Sequence, residues 1–406
     1  MNDRPLIYVA AGDTARNPSR SGIQTTVRRL VAELGHRYPA RARVAFWNRH
    51  ARVLHPLPRQ FSLGLAAEQL RHAPHLSFAR KLAAFPGWFP GRSDDRIPLH
   101  RHPIHASGLP GAWLLLPELL YGDRRTERFV AYARRRGMKV AAIFHDAIPV
   151  QHPEFSRPGL TLQHRNYMRE LSKVDLIIPT SETSAQTWRD VLEQEGLASP
   201  AVEIVPLAGE IAGAPRVLEP AAMRTGRLRA LYVSTVEPRK NHRTLCAALE
   251  QLAGSDGALP FEMDLIGSPD PAAPELAALV TAAEERFAGQ LRWHRRVDSG
   301  TLRQLYAQCD FTVYPSVVEG FGIPILESLW LARPCICANF GVMQENARGG
   351  GCLTVDVRDA TALAAALQRL LTEPELRLRL ARQATLRPIR TWAEYAGEIV
   401  QALDRH

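Results

Sequence analysis

Cysteine is scarce in this chain, with five in 406 residues, at Cys246, Cys309, Cys335, Cys337 and Cys352. An odd number without C-x-x-C spacing argues against a disulfide framework and against a zinc site, and fits a reducing compartment. The Cys335/Cys337 alternation reads instead as a buried strand. Aromatic residues are few as well, at 7%, and no recognised nucleic-acid motif accompanies them, so nucleic acid is not an expected partner. No stretch approaches the roughly 18 uninterrupted apolar residues of a membrane-spanning helix. The most apolar run, Trp113 to Leu120, is broken by Pro117 and Glu118. The opening Met1-Asn2-Asp3-Arg4-Pro5 lacks the apolar stretch and cleavage site of a signal peptide, and a cytoplasmic location is the expectation. Lysine is nearly absent, limited to Lys81, Lys139, Lys173 and Lys240. Neither G-x-x-x-x-G-K-[ST] nor G-x-G-x-x-G is present.

What is present describes a folded chain. Hydrophobic residues make up 46% and charged residues 23%, which leaves no case for disorder. A chain of this length favours two cores with a cleft between them. The net charge of +10 is unevenly placed: residues 1–140 carry +15 and the remainder −5. A basic first half suits nucleic acid, an anionic membrane surface or a phosphorylated substrate.

The hydrophobic pattern alternates between strand and helix. Leu6 to Ala10 is a short apolar strand, and Ile23, Val27, Leu30, Val31 and Leu34 follow at helical spacing. Further strands are expected at Val44–Trp47, Trp113–Leu116, Val140–Phe144, Leu176–Pro179 and Val202–Val205. A helix is expected at Thr126–Arg136, with Phe129 and Tyr132 facing either core or bilayer. Another follows Ser181, its N-cap. After a Gly- and Pro-rich stretch the pattern restarts, with strands at Leu231–Thr235, Phe261–Ile266, Leu291–Trp293, Phe311–Tyr314, Cys335–Ala338 and Cys352–Val355. Helices are expected at 240–252, 374–386 and 391–404. This gives an α/β chain of two doubly wound domains, with ligands at the carboxyl ends of the strands. The expected division is 1–210 with an irregular insertion at about 50–110, a linker at 211–228, a second domain at 229–390, and a closing helix at 391–406 that packs back on the first domain.

Four segments carry chemistry. In Ser316-Val317-Val318-Glu319-Gly320-Phe321-Gly322-Ile323-Pro324-Ile325-Leu326-Glu327, two glycines follow a strand and Pro324 suits the first turn of a helix. The helix N-terminus offers free N–H groups to a phosphate. Glu319 precedes that helix and Glu327 lies about one turn inside it, so the two carboxylates reach different parts of one elongated ligand. In Glu237-Pro238-Arg239-Lys240-Asn241, an Arg-Lys pair at a strand's end suits neutralisation of a diphosphate. The others are Gly22-Ile23-Gln24 after the first strand, and Phe144-His145-Asp146-Ala147-Ile148-Pro149 at a later strand end.

Two glutamates eight positions apart around Gly-Phe-Gly-Ile-Pro resemble the signature of retaining, family-4-like glycosyltransferases of the GT-B fold. The resemblance runs through Gly22, His145, Ser181-Glu182, the 239–240 pair, the Glu pair and the terminal Trp392 helix; residues 50–110 match nothing in it. It implies a GT-B fold of two Rossmann-like domains facing across a cleft. It implies that Glu319 contacts the donor sugar and that Glu327 holds the ribose. The backbone of Gly320, Phe321, Gly322 and Ile323 would meet the diphosphate and sugar.

The resemblance also implies that His145 lies near the donor sugar, that the Gly22 loop approaches the donor phosphates, and that Arg239 and Lys240 bind the diphosphate. Asp146 would orient His145 or help position the acceptor. No Asp-x-Asp follows an apolar strand, so a metal-dependent GT-A transferase is not expected, and no metal or cofactor is expected. Relatives that the chain resembles in these motifs transfer mannose in bacterial surface-polysaccharide assembly. GDP-mannose is therefore the favoured donor, and a lipid-linked saccharide at the inner face of the membrane the acceptor, with peripheral contact through the basic first half. A GT-B nucleotide-sugar epimerase and a basic nucleic-acid-binding protein are the alternatives.

Overall fold

The computed structural model describes residues 4–12, 14, 22–48, 53–56, 109–121, 125–220, 224, 226–254 and 257–406. Most of the expected insertion at 50–110 lies outside them. The first half runs β1 (Ile7–Ala10), α1 (Gly22–Arg37), β2 (Ala42–Asn48), β3 (Val53–Pro56), β4 (Trp113–Leu116), α2 (Arg125–Arg134), β5 (Lys139–Phe144), α3 (Leu160–Leu171), β6 (Leu176–Pro179), α4 (Glu182–Gln194) and β7 (Ala201–Val202). The second runs β8 (Arg229–Val233), α5 (His242–Leu252), β9 (Glu262–Ile266), α6 (Pro274–Arg286), β10 (Leu291–His294), α7 (Ser299–Gln308), β11 (Phe311–Tyr314), α8 (Ile323–Trp330), β12 (Cys335–Ala338), α9 (Gly341–Ala347), β13 (Cys352–Val355), α10 (Ala360–Thr372), α11 (Pro374–Leu386) and α12 (Trp392–Arg405).

Each half builds one sheet. The first has the order β3-β2-β1-β4-β5-β6-β7 and the second β10-β9-β8-β11-β12-β13. All neighbours pair in parallel except β2 and β3. Parallel strands covered on both faces should be apolar throughout, and β1, β4, β6, β11 and β12 are buried at every position. The order reverses between β1 and β4 in one sheet and between β8 and β11 in the other. Crevices open at such reversals, beyond the carboxyl ends of the strands.

Several expectations change in detail. Val53–Pro56, expected within an irregular insertion, forms an antiparallel edge strand on β2. The strand expected at Val202–Val205 is only Ala201–Val202, although Glu203 and Val205 still donate backbone bonds to β6. Helix α3 has no counterpart among the expected elements. Phe129 and Tyr132 are buried in the core of the first half, not turned outward. Cys335 and Cys337 are buried in β12.

The segment joining the sheets is pinned to the second half. Trp330 Nε1 donates to Ala214 O at 3.0 Å, and Val217 N donates to Trp330 O at 3.0 Å. The chain then crosses back. Helix α12 begins with a capping box at Thr391 and Glu394, buries Trp392, Tyr395 and Ile399, and ends against the first half, where Arg41 Nη2 donates to Asp404 Oδ1 at 2.6 Å.

Candidate functional site

The carboxyl ends of β8 and β11 lie side by side in the second sheet, and each opens into one of the charged motifs. After β8 the chain makes a short 3-10 turn at Pro238–Lys240, and Asn241 takes a left-handed conformation at φ 63° before α5. After β11 it runs through Glu319 to Gly322, whose φ of 84° favours glycine and starts α8. Pro324 occupies the first turn of α8.

These two turns bring Glu319, Arg239 and Lys240 together. Arg239 Nη1 donates to Glu319 Oε2 at 2.6 Å, and Lys240 Nζ pairs with Glu319 Oε1. Tyr314 OH donates to the same Oε1 at 2.8 Å. Arg239 also pairs with Glu237 at 2.6 Å. Glu319 is nearly enclosed, with 8% of its side chain exposed. Burial alone would raise its carboxyl, but the Arg239 and Lys240 charges overcome this and hold it down at about 2. The Arg-Lys pair is therefore not the bare positive site that the sequence pattern implies. Two carboxylates already balance it.

Glu327 lies one turn into α8. Tyr306 OH, from α7, donates to its Oε2 at 3.1 Å. Burial pushes its carboxyl up to about 7, against the Tyr306 hydrogen bond and the charge of Arg29 on α1. Two glutamates of one motif thus have opposite protonation tendencies, set by their neighbours.

The first half meets this site through the turn after β5. His145 is buried, and its Nε2 donates to Pro117 O at 2.9 Å. Desolvation lowers its pKa. Asp146 Oδ1 accepts from Ile148 N at 3.0 Å, closing an Asx turn. Gly320 is packed directly against this turn. A Cβ there would stand 2.7 Å from His145 O and 2.9 Å from Asp146 Oδ2. The sequence pattern assigns Gly320 the role of admitting a ligand; in the structure its bare Cα admits the opposite domain. Ser184 Oγ lies 3.0 Å from both His145 O and Gly320 O, so one hydroxyl links the two halves.

Of the remaining expected residues, Phe321 is buried and its carbonyl accepts from Asn346 Nδ2. Ile323 packs against the larger hydrophobic core, to which both halves contribute. Gly22 is the first residue of α1, with open space where a Cβ would stand; most of the loop before it lies outside the described residues. Sequence reasoning misses Tyr314, Tyr306 and Ser184, which act on the motif residues from other turns and elements. Among the described residues, no group of three or more His, Cys, Asp or Glu is placed to hold a metal ion.

Residues 218–387 match the family model described as glycosyl transferases group 1. The chain is 34% identical over 148 residues to O-antigen chain mannosyltransferase B of Escherichia coli, covering 36% of this chain and 38% of that protein. It is 24% identical over 218 residues to the serotype-specific mannosyltransferase WbdA of the same organism, covering 51% of this chain and 26% of that one. The chain therefore spans well under half the length of these relatives. Among solved structures it is similar to sucrose-phosphate synthase from Thermosynechococcus elongatus, with a TM-score of 0.66 and 17% identity over 99% of this chain and 98% of that one. It is also similar to Anabaena HepE in complex with UDP and glucose, with a TM-score of 0.64 and 12% identity over 99% and 100% of the two chains. Two facing doubly wound sheets and these likenesses show a GT-B fold.

Proposed function

We propose that the chain is a retaining glycosyltransferase that moves a hexose, with mannose favoured, from a nucleotide-diphosphate sugar to a saccharide acceptor. The observation that carries this reading is the ion set at the ends of β8 and β11, where Glu319 sits between Arg239 and Lys240 and its neighbour Gly320 packs against the His145–Asp146 turn. The names of the Escherichia coli relatives support mannose, and with it GDP-mannose as donor. HepE was solved with UDP, so UDP-sugars are the donors to compare.

In this reaction the bond from the sugar's anomeric carbon to the diphosphate breaks, and a bond to the acceptor oxygen forms on the same face. The acceptor's proton passes to the leaving phosphate. Arg239 and Lys240 stabilise the charge that develops there, so no metal is assigned. A unit charge pair at about 4 Å and an effective dielectric of about 20 interacts by roughly 4 kcal/mol, and here the Glu237 and Glu319 carboxylates offset part of that. Glu319 holds the donor sugar, Glu327 the ribose, and Asp146 the acceptor side. The acceptor is assigned as a lipid-linked saccharide in surface-polysaccharide assembly. The charge of +15 on residues 1–140 supports peripheral contact with an anionic inner membrane face.

A panel of GDP- and UDP-sugars, with and without saccharide acceptors, tests the reading. Acceptor-dependent release of nucleoside diphosphate, with the anomeric configuration kept in the product, is expected. Acceptor-independent release accompanied by an epimerised sugar would establish the epimerase alternative, which the relatives' names do not favour.

A further inference from the structure

A second polar cluster lies behind the His145–Asp146 turn. His164 of α3 is fully buried, and its Nε2 lies 3.0 Å from Asp146 O. A carbonyl oxygen only accepts, so Nε2 carries the proton. In the neutral ring Nδ1 is then a lone pair, and it lies 2.6 Å from Tyr121 OH, which must donate to it. Burial lowers the imidazole's pKa, which favours that neutral ring. Tyr167 packs edge-on against both rings, with centroids at 5.5 Å from His164 and 5.8 Å from Tyr121.

The Asp146 carbonyl is thereby held by a helix of the first domain. The neighbouring carbonyl is held as well: Ser184 Oγ and Thr180 Oγ1 reach His145 O at 3.0 and 3.3 Å, and Gly320 of the second domain abuts the turn. Tyr121 follows β4 by a few residues, and that same stretch supplies the Pro117 carbonyl that His145 Nε2 binds. Two histidines therefore tie the turn to one loop from two directions.

We propose that Tyr121 and His164 are a positioning pair that sets where the His145–Asp146 turn stands against the Gly320 loop, and so aligns acceptor with donor. The inference rests on the transfer reading above. Neither residue touches the donor motifs, so the pair acts through Asp146. Glutamine at position 164 supplies both an N–H donor and an oxygen acceptor, whereas leucine supplies neither.

The test compares His164→Gln, His164→Leu and Tyr121→Phe by amide hydrogen exchange, nucleotide calorimetry and steady-state transfer. His164→Leu should speed exchange at residues 145–148 and lower the transfer kcat by on the order of ten- to a hundredfold, the scale of a small misplacement near the reacting groups. Its donor KM and its affinity for free GDP or UDP should stay close to those of the unchanged protein. His164→Gln should restore most of the rate and the slow exchange, and Tyr121→Phe, which preserves the ring and its packing, should fall between. Unchanged exchange at 145–148 in the leucine variant overturns the proposal. So does a glutamine variant as impaired as leucine, or a fall in kcat matched by an equal rise in donor KM. If the unchanged protein transfers no sugar from any donor, the transfer reading fails, while the exchange measurements still decide the pair.

Discussion

Glu319 and Glu327 stand eight residues apart and differ in what surrounds them. Glu319 is clamped by two cations and stays ionised, whereas Glu327 has one tyrosine hydroxyl and a more distant arginine. Their alanine variants should therefore differ in kind. Glu327→Ala should weaken binding of both donor and free nucleoside diphosphate, while Glu319→Ala should lower turnover with nucleotide affinity nearly kept. Calorimetry with the nucleotide, beside transfer kinetics, separates the two; equal loss of affinity would reject the division of roles. The raised carboxyl of Glu327 adds a dependence on pH. Its folded value of about 7 lies above the ordinary glutamate value of 4.5, so its contribution to stability is full below the unfolded value and is lost as pH rises through about 7. Ribose hydroxyls donate to an ionised carboxylate, so nucleotide affinity should rise across the same range. Titrations at about pH 6 and about pH 8, either side of that value, should show the gain, and Glu327→Gln should abolish it.

Helix α4 is one of the elements that join the halves. Ser181 caps it, accepting from Ser184 N at 2.9 Å. Its first N–H groups are met by Glu345 of α9 in the second half: Glu182 N and Thr183 N donate to the carboxylate at 2.9 Å each. A negative charge at a helix N-terminus stabilises it by roughly 0.3–1 kcal/mol, and more where partly buried. Glu345→Ala should thus loosen the contact by about 1 kcal/mol, and small-angle scattering should show a larger radius of gyration while each half keeps its own fold. Glu345 gives no sign in the sequence, because its partner is 162 residues away and only the tertiary fold supplies it. The capping serine is legible because its partner is local. The same contrast holds for whole elements. The strands β11 and β12 can be placed to the residue because buried parallel strands are short, largely apolar runs. Helix α3 escapes although His164, Tyr167, Met168 and Leu171 keep helical spacing, because two of these four buried positions are a histidine and a tyrosine and not aliphatic residues. His164 on such a stripe reads as an ordinary core residue until its two hydrogen-bond partners are known.

At the scale of the whole molecule, charge and closure matter most. No helix among the described residues is long and apolar enough to cross a membrane, and the proposed contact with a bilayer is one through surface charge. Arg134 and Arg135 are exposed on and just beyond α2, while Phe129 and Tyr132 turn inward. Co-sedimentation should favour anionic over neutral liposomes, and added salt should weaken it. Changing both arginines to Glu should reduce that association and spare donor turnover in solution; undiminished binding would assign the basic charge elsewhere. Closure, finally, hangs on a missing methyl group. The turn at His145 and the loop at Gly320 meet with no space for a Cβ, so Gly320→Ala would act as a wedge. The joining segment and both sheets would be untouched, yet the halves would come to rest ajar. Such a variant should still take up nucleotide on the second domain but stall before transfer, which makes it a chemical doorstop for capturing the protein loaded and open.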